Sequence, residues 1–281
     1  IMAISYNRLG SNGRHGNQMF QYAGFRGIAS KNGYEWLIPP EDSDSTCNYS
    51  LFECFKMESV QPENFGFGTG RTIDTGIFHF DEELFNNCPD NVNLNYYFQT
   101  ERYFKHIEDE IRKDYTFNDD IVADCKEVMD GIGDAIFIHV RRGDYIPTPQ
   151  YHPTLPPEYY EEGLKKFDSD IPVLVFSDDL DWVREQKVFD SDRFLISENH
   201  VKYPNKVKLG DGSFQQSLVP YWDMCLMSMC KGAIIANSSM SWWGAWLQNG
   251  AGKVIAPNRW FGEAYSHYIM DDLLPDSWEK I

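Results

Sequence analysis

The chain of 281 residues is too long for one small domain and suits two domains of moderate size or one large α/β unit. Hydrophobic residues make up 42%, enough for real cores, and aromatics reach 15%, a surplus that serves either an aromatic core or rings stacked on sugars. Against 25 basic residues stand 43 acidic ones; the net charge of −18 excludes nucleic acid and anionic membrane as partners of the general field, so an anionic ligand requires a local basic cluster.

In chain order, residues 2–6 predict a short strand, followed by a loop punctuated by Gly10, Gly13 and Gly16. A helix is expected over 17–30 and a strand over 35–38, one β-α-β unit. From Pro39 to about Gly76 the chain reads as irregular and acidic, and 101–114 as a charged helix. The signal changes near residue 130. Gly131 and Gly133 precede a compact apolar strand over 135–140, then a proline-rich loop, a helix over 157–167 and a second buried strand over 173–176. Pro220 suits the first turn of a helix that continues to a stop at Gly232. Strands over 233–236 and 254–256 flank a short helix over 241–248. Strands that are apolar on both faces and alternate with helices predict a parallel sheet covered on both sides.

The six cysteines form no C-x-x-C pair and no Cys/His cluster of zinc spacing. Free thiols and a reducing, cytoplasmic setting are the expectation. No run approaches about 18 apolar residues, so stable membrane insertion is not expected.

Ligands of open parallel sheets sit at the carboxyl ends of the strands. At the first such end lies His139-Val140-Arg141-Arg142-Gly143-Asp144. Two adjacent arginines at a strand end suit a diphosphate, because a guanidinium fork binds phosphate bidentately and holds charge that develops on a leaving group. The plain alternative is a salt bridge from Arg141 or Arg142 to Asp144. Alternation puts Arg141 on the face of His139. After the second strand, Asp178 and Asp179 offer either a carboxylate for a guanine edge or an ordinary helix cap. After the third, Asn237, Ser238, Ser239 and Ser241 stand between strand and helix, where backbone N–H groups and hydroxyls make an anion cradle or, again, a cap. The tryptophans that follow suit a core. The N-terminal loop with Gly16 and Asn17 also ends at a helix start and is another possible phosphate site, with Gly16 against the donor, but it matches neither the dinucleotide fingerprint nor the P-loop.

Together these strings resemble family 11 glycosyltransferases, the α-1,2-fucosyltransferases. GRHGNQMFQYA is similar to the family's opening, HVRRGDY to its H-x-R-R-x-D motif, FSDD to its second motif and DMCLMSMCKGAIIANSSMSWWGAWL to its third. The segment NYYFQ with Tyr103-Phe104 is similar to a fourth. Arg14-His15 departs from the usual Gly-Leu. The resemblance runs from residue 10 to about 262.

It implies a GT-B-type α/β fold, two Rossmann-like domains facing a central cleft. Residues 1–130 would form the acceptor-side domain and 131–281 the domain that binds GDP-fucose. It implies GDP-fucose as a substrate, an acceptor oligosaccharide as partner, no metal and no cofactor, and inversion at the fucose anomeric carbon. Arg141 matches the arginine on the β-phosphate, with Arg142 and Asp144 as its supporting neighbours and His139 at the nucleotide. Asp178 or Asp179 would meet the guanine or ribose, and Asn237, Ser238, Ser239 and Ser241 the diphosphate. Asn17 matches an asparagine near the scissile bond. Asp144 and the departing phosphate are both candidates for the base.

Two rivals remain at this level. A metal-dependent GT-A transferase would carry a D-x-D, and three occur: Asp42-Ser43-Asp44, Asp168-Ser169-Asp170 and Asp190-Ser191-Asp192, all in polar, loop-like surroundings. A non-catalytic binding protein on the same scaffold is the other, since fold does not give function.

Overall fold

The computed structural model describes residues 2–41, 49–74, 76–198, 204–208, 214–218, 220–250 and 252–281. The chain divides into two compact units: Ile1–Asn118 with Lys206–Gln215 and Tyr268–Pro275, and Asp119–Asn205 with Gln216–His267 and Asp276–Ile281.

The first unit contains β1 (Ala3–Ser5), α1 (His15–Asn32), β2 (Glu35–Leu37), α2 (Leu51–Cys54), β3 (Arg71–Ile73), α3 (Glu82–Asn87), β4 (Val92–Leu94) and α4 (Glu108–Asp114). The strands form a parallel sheet in the order β2-β1-β4-β3. The expected β-α-β unit is present. The expected helix over 101–114 is not continuous: 3₁₀ turns at Glu101–Tyr103 and Lys105–Ile107 precede α4. The break falls at Phe104 and Ile107, which leave helical geometry as Tyr103, Phe104 and Ile107 turn into the core. The segment expected to be irregular holds α2 and β3.

Helix α1 is buried on almost every side, and that burial includes Arg26. Its guanidinium lies 3.2 Å from Asp114, 3.3 Å from Glu110 and 4.3 Å from the centre of the Trp36 ring. Tyr22 donates to the same Asp114 oxygen at 2.7 Å, and the Ser59 amide donates to the other at 2.7 Å. A buried charge persists only when its donors and acceptors are matched, and here α1 supplies Tyr22 and Arg26 to Asp114 while the Ser59 segment supplies the third donor.

The second unit opens with α5 (Asp119–Ile132), followed by β5 (Ile136–Val140), α6 (Pro157–Leu164), β6 (Val173–Ser177), α7 (Leu180–Glu185) and β7 (Phe194–Ile196). The strands β8 (Pro204–Lys208) and β9 (Phe214–Leu218) pair as a two-stranded sheet, of which residues 206–208 and 214–215 count with the first unit. Then come α8 (Pro220–Met229), β10 (Gly232–Ile234), α9 (Ser239–Trp246), β11 (Lys253–Ala256) and β12 (Glu279–Lys280). The main sheet is parallel, in the order β12-β11-β10-β5-β6-β7. Ile136, Ile138 and Val140 face one side with Tyr159, Tyr160 and Val183 of α6 and α7. Phe137 and His139 alternate to the other. Trp242 and Trp243 are fully buried and pack with Trp246, so the tryptophan run is core.

A division after residue 130 places α5 with the first unit, whereas the structure begins the second unit at Asp119. The reason is packing: the Trp222 indole of α8 donates to Asp124 at 2.9 Å, and the Cys125 thiol meets the Trp222 carbonyl. Cys54, Cys88, Cys125, Cys225 and Cys230 are free and buried, while Cys47 lies outside the described residues.

Removing one partner of a buried ion pair strands the other. Asp114→Ala is therefore expected to cost about 3–5 kcal/mol. Glu110→Ala, whose carboxylate is 57% exposed, should cost at most about 1 kcal/mol. Urea unfolding midpoints check this, and equal losses in the two variants would show that the network carries no special weight.

Candidate active site

The carboxyl ends of β5, β6 and β10 lie side by side, because β5 pairs with both β6 and β10. The register sets Val140 opposite Ser177. Arg141 and Arg142 therefore leave β5 beside Asp178 and Asp179 leaving β6. The Arg141 Nη1 lies 3.0 Å from Asp178 and Nη2 lies 2.6 Å from Asp144, so both carboxylates grip one guanidinium. Asp178 is 11% exposed, and its other oxygen accepts from the Arg142 amide at 2.9 Å. A Cβ at residue 143 would stand 2.5 Å from that carboxylate, which explains the glycine. Asp144 is 51% exposed and is the looser of the two grips.

Arg142 is tied more closely to structure. It pairs with Asp179 at 3.0 Å and lies 4.3 Å above the Trp182 ring. Asp179 caps α7 by accepting from the Trp182 amide, so both its oxygens are engaged. The capping alternative thus describes Asp179, and its expected contact with guanine or ribose would require it to give up one of these partners. The local charge also differs from expectation: two arginines stand against three aspartates, so the cluster is not net positive.

His139 is buried, with no hydrogen-bond partner on Nδ1. Burial, reinforced by the Arg141 charge, pulls its pKa down to about 3. Asn237 turns inward, its amide donating to the carbonyls of Pro153 and Trp260 at 2.9 Å. Ser241 is buried and bonds to the Ala236 and Ser238 carbonyls at 3.4 Å. These two anchor loops, which departs from a cradle made by all four residues. Ser238 is buried and makes no side-chain cap at the start of α9, and Ser239 is partly exposed.

Gly16 and Asn17 belong to the first unit, in the first turn of α1. The Asn17 Oδ1 accepts from Gln99 at 2.9 Å.

Three side chains beside the arginines escaped sequence reasoning. Tyr145 lies against Arg141, ring centre 5.3 Å away, and donates to the Asn237 carbonyl at 2.9 Å. His152 stacks on Tyr145 at 4.7 Å, and Trp182 supports Arg142. Tyr145 sits inside the HVRRGDY string and could have been read there; His152, in the proline-rich loop, gives no sequence signal.

Two D-x-D strings, at Asp168 and at Asp190, are exposed, and the first is closed on itself by Asp170 N donating to Asp168. Asp42-Ser43-Asp44 lies outside the described residues. Among the described residues no three His, Cys, Asp or Glu gather to hold a metal, and no helix is long and apolar enough to cross a membrane.

Two α/β units, each on a parallel sheet, are the GT-B class of fold that the resemblance implied. A solved structure of an Arabidopsis thaliana FUT1 mutant in complex with GDP aligns over 91% of this chain and 70% of that one, with a TM-score of 0.53 at 10% identity, a likeness of fold alone. Residues 3–280 match Glycosyl transferase family 11, and the chain belongs to that family. It is 30% identical over 312 residues to an alpha-1,2-colitosyltransferase of Escherichia coli, covering 100% of this chain and 99% of the relative. It is 24% identical to galactoside 2-alpha-L-fucosyltransferase SEC1 of Bos taurus, covering 88% of this chain and 66% of the relative. The chain spans only 63% of the length of another relative, the O-antigen biosynthesis glycosyltransferase WbnK of Escherichia coli.

The depressed His139 pKa makes a signed prediction. An unfolded histidine takes up a proton below about 6.5, while native His139 stays neutral to about 3. Stability should fall as pH drops below about 6.5, by up to about 2 kcal/mol at pH 5 from this residue. Because the protein's acidic excess relaxes over the same range, the measurement is the difference in urea midpoint slope between wild type and His139→Gln from pH 7.5 to 5.5. Identical slopes would rule out a buried neutral imidazole.

Proposed function

We propose that this family 11 glycosyltransferase moves L-fucose from GDP-fucose to a hydroxyl of an acceptor glycan, in α-1,2 linkage onto a terminal galactoside, with inversion and without a metal ion. The observation that carries the reading is Arg141, fixed by Asp178 at the end of β5 with its second edge held only by half-exposed Asp144. The β-phosphate of the donor takes that edge from Asp144. As the acceptor oxygen attacks the anomeric carbon, the bond from that carbon to the phosphate oxygen breaks and the electron pair stays on the phosphate. Charge there rises toward the transition state, so a fixed cation stabilises the transition state more than the ground state. The acceptor proton passes to Asp144 or to the departing phosphate. Ser238 and Ser239 complete the diphosphate site, Arg142 and neutral His139 shape it, and Asn17, oriented by Gln99, is assigned to the reacting sugar.

The full-length likeness to an alpha-1,2-colitosyltransferase supports a second reading, with a 3-deoxy analogue of fucose as the donor sugar. Turnover of GDP-fucose and GDP-colitose side by side, with product linkage read by NMR, separates the two. A metal-dependent mechanism is tested by the GDP-induced rise in melting temperature, which should survive EDTA. A binding protein without activity would show that rise and release no GDP in the presence of a galactoside.

Arg141→Ala should lower kcat at least about a hundredfold, comparable to the loss of one oxyanion donor. Arg141→Lys should restore little, since an ammonium cannot reproduce the bidentate fork. Near-normal turnover in a folded Arg141→Ala protein would remove Arg141 from the chemistry. Asp144→Asn should bind GDP at least as tightly as wild type, because the competitor for the Arg141 edge has lost its charge. Weaker GDP binding in that variant would show that Asp144 supports the site instead of yielding it.

A further inference from the structure

The carboxyl edge of the first unit's sheet carries a second group of side chains, separate from the arginine cluster. Strands β1, β4 and β3 are parallel neighbours, so the residues leaving them emerge at one edge. Arg8 follows β1, Asp74 follows β3, and Asn95 to Gln99 follow β4.

The last segment is held under strain. Phe98 has φ of +55°, a conformation that a bulky side chain adopts only when its surroundings enforce it. Its ring is buried, stacks on Tyr96 at 5.1 Å and packs on α1, where a Cβ on residue 24 would stand 2.3 Å from the Phe98 Cβ. The Tyr6 hydroxyl donates to the Tyr96 carbonyl at 2.6 Å and pins the backbone just before the strained residue. Between two buried aromatics the chain presents Tyr97, 42% exposed. An exposed ring at the centre of a strained, doubly anchored segment is costly to retain for packing alone.

What surrounds that ring is polar. Its hydroxyl lies 3.5 Å from the Asn12 side chain; burial raises the phenol's pKa, the Arg8 charge opposes that shift, and Tyr268 and Asp74 add to it. Asp74 accepts from the Asn95 amide at 2.6 Å, while the Asn95 Oδ1 is buried with no partner. Arg8 and Asp74 are exposed. A flat ring, a carboxylate and a guanidinium suit a neutral pyranose, and Asn95 orients the carboxylate. The ring covers its C–H face, the carboxylate accepts from neighbouring hydroxyls, and the guanidinium donates to a hydroxyl or ring oxygen. β-Galactopyranose, with the C–H groups of carbons 3, 4 and 5 on one face, matches a single exposed ring.

We infer that Tyr97, Asp74, Asn95 and Arg8 form a subsite for the terminal galactoside of the acceptor, with the Tyr97 ring as its platform. The inference rests on the glycosyl-transfer reading above and gives its acceptor a place. The same segment carries Gln99, whose amide fixes Asn17, so the strain that presents Tyr97 also sets the asparagine assigned to the reacting sugar.

The test is saturation-transfer NMR with methyl β-D-galactopyranoside, using methyl α-D-mannopyranoside as control, run beside a GDP thermal shift. Wild type should saturate galactoside protons 3 to 5. Tyr97→Ala should lose the effect, Tyr97→Phe should keep it and Asp74→Ala should weaken it. In turnover, Tyr97→Ala should raise the acceptor KM about tenfold while GDP affinity stays within about twofold. No galactoside saturation in wild type, or saturation unchanged in Tyr97→Ala, overturns the subsite. A missing GDP shift beside normal galactoside binding overturns the donor reading and leaves the subsite standing. Because Tyr97 is exposed, its variants should unfold at the wild-type temperature. Asp74→Ala supplies a second probe whose undiminished galactoside signal would also count against the assignment.

Discussion

The second unit depends on the register between β5 and β6. Setting Val140 opposite Ser177 aligns an arginine pair leaving one strand with an aspartate pair leaving the next. Each arginine finds its own carboxylate, Arg141 with Asp178 and Arg142 with Asp179, and the two pairs then do different work. Asp179 also caps α7, and Arg142 lies on Trp182, so this pair joins strand end to helix start. Asp178 holds Arg141 by one edge and the Arg142 backbone by its other oxygen, which leaves the far edge of Arg141 turned to half-exposed Asp144. A cation aimed in this way needs no reorientation when charge develops beside it, and preorganisation of that kind is where electrostatic catalysis gains most.

That register also marks the limit of what could be read along the chain. The strands over 136–140 and 173–177 were legible because both faces are covered, giving unbroken apolar runs. The arginine pair stood out because such residues are rare at a buried strand end. Its partners did not: Asp144 is three residues away and easily weighed, whereas Asp178 meets Arg141 only through strand pairing. In the first unit β4 went unread because Asn93 interrupts its three residues, and Asn93 is tolerated there only because the Asn7 amide and Thr72 satisfy its side chain. Helix α5 was missed because its buried stripe is narrow, Ile121 and Cys125 among acidic neighbours. The hydroxyl run after β10 was legible as a strand-to-helix junction, but not that Asn237 and Ser241 would turn inward, since their acceptors lie on Pro153, Trp260 and Ala236.

Buried polarity is handled in two ways. In the first, Arg26 and Asp114 sit inside the core with every donor and acceptor matched, an arrangement whose worth lies in specifying how α1, α4 and the Ser59 segment meet. In the second, polar atoms at a sheet edge are left unmatched: Asn95 Oδ1 in the first unit, and His139 Nδ1 and Asn237 Oδ1 in the second, are buried without partners among the described residues. Buried polar atoms are seldom left unsatisfied in regions that serve structure alone. Beside Arg141, where burial also keeps His139 neutral, two such atoms accompany the proposed donor site.

The acidic excess fits this arrangement when followed through a reaction cycle. A net charge of −18 opposes the approach of any nucleotide diphosphate, and screening over about 8 Å at physiological salt leaves only nearby charges to act on one that has arrived. The arginine cluster, with three carboxylates against two guanidiniums, does not reverse that field; it offers two directed cations within it. On the proposed reading, transfer converts a sugar diphosphate into free GDP, which carries more negative charge than the donor did. The field then disfavours product more than donor, and Asp144, once ionised, reclaims the Arg141 edge as the phosphate leaves. Affinity conceded in the ground state is in this way recovered as product release, a step that often limits turnover once chemistry is fast.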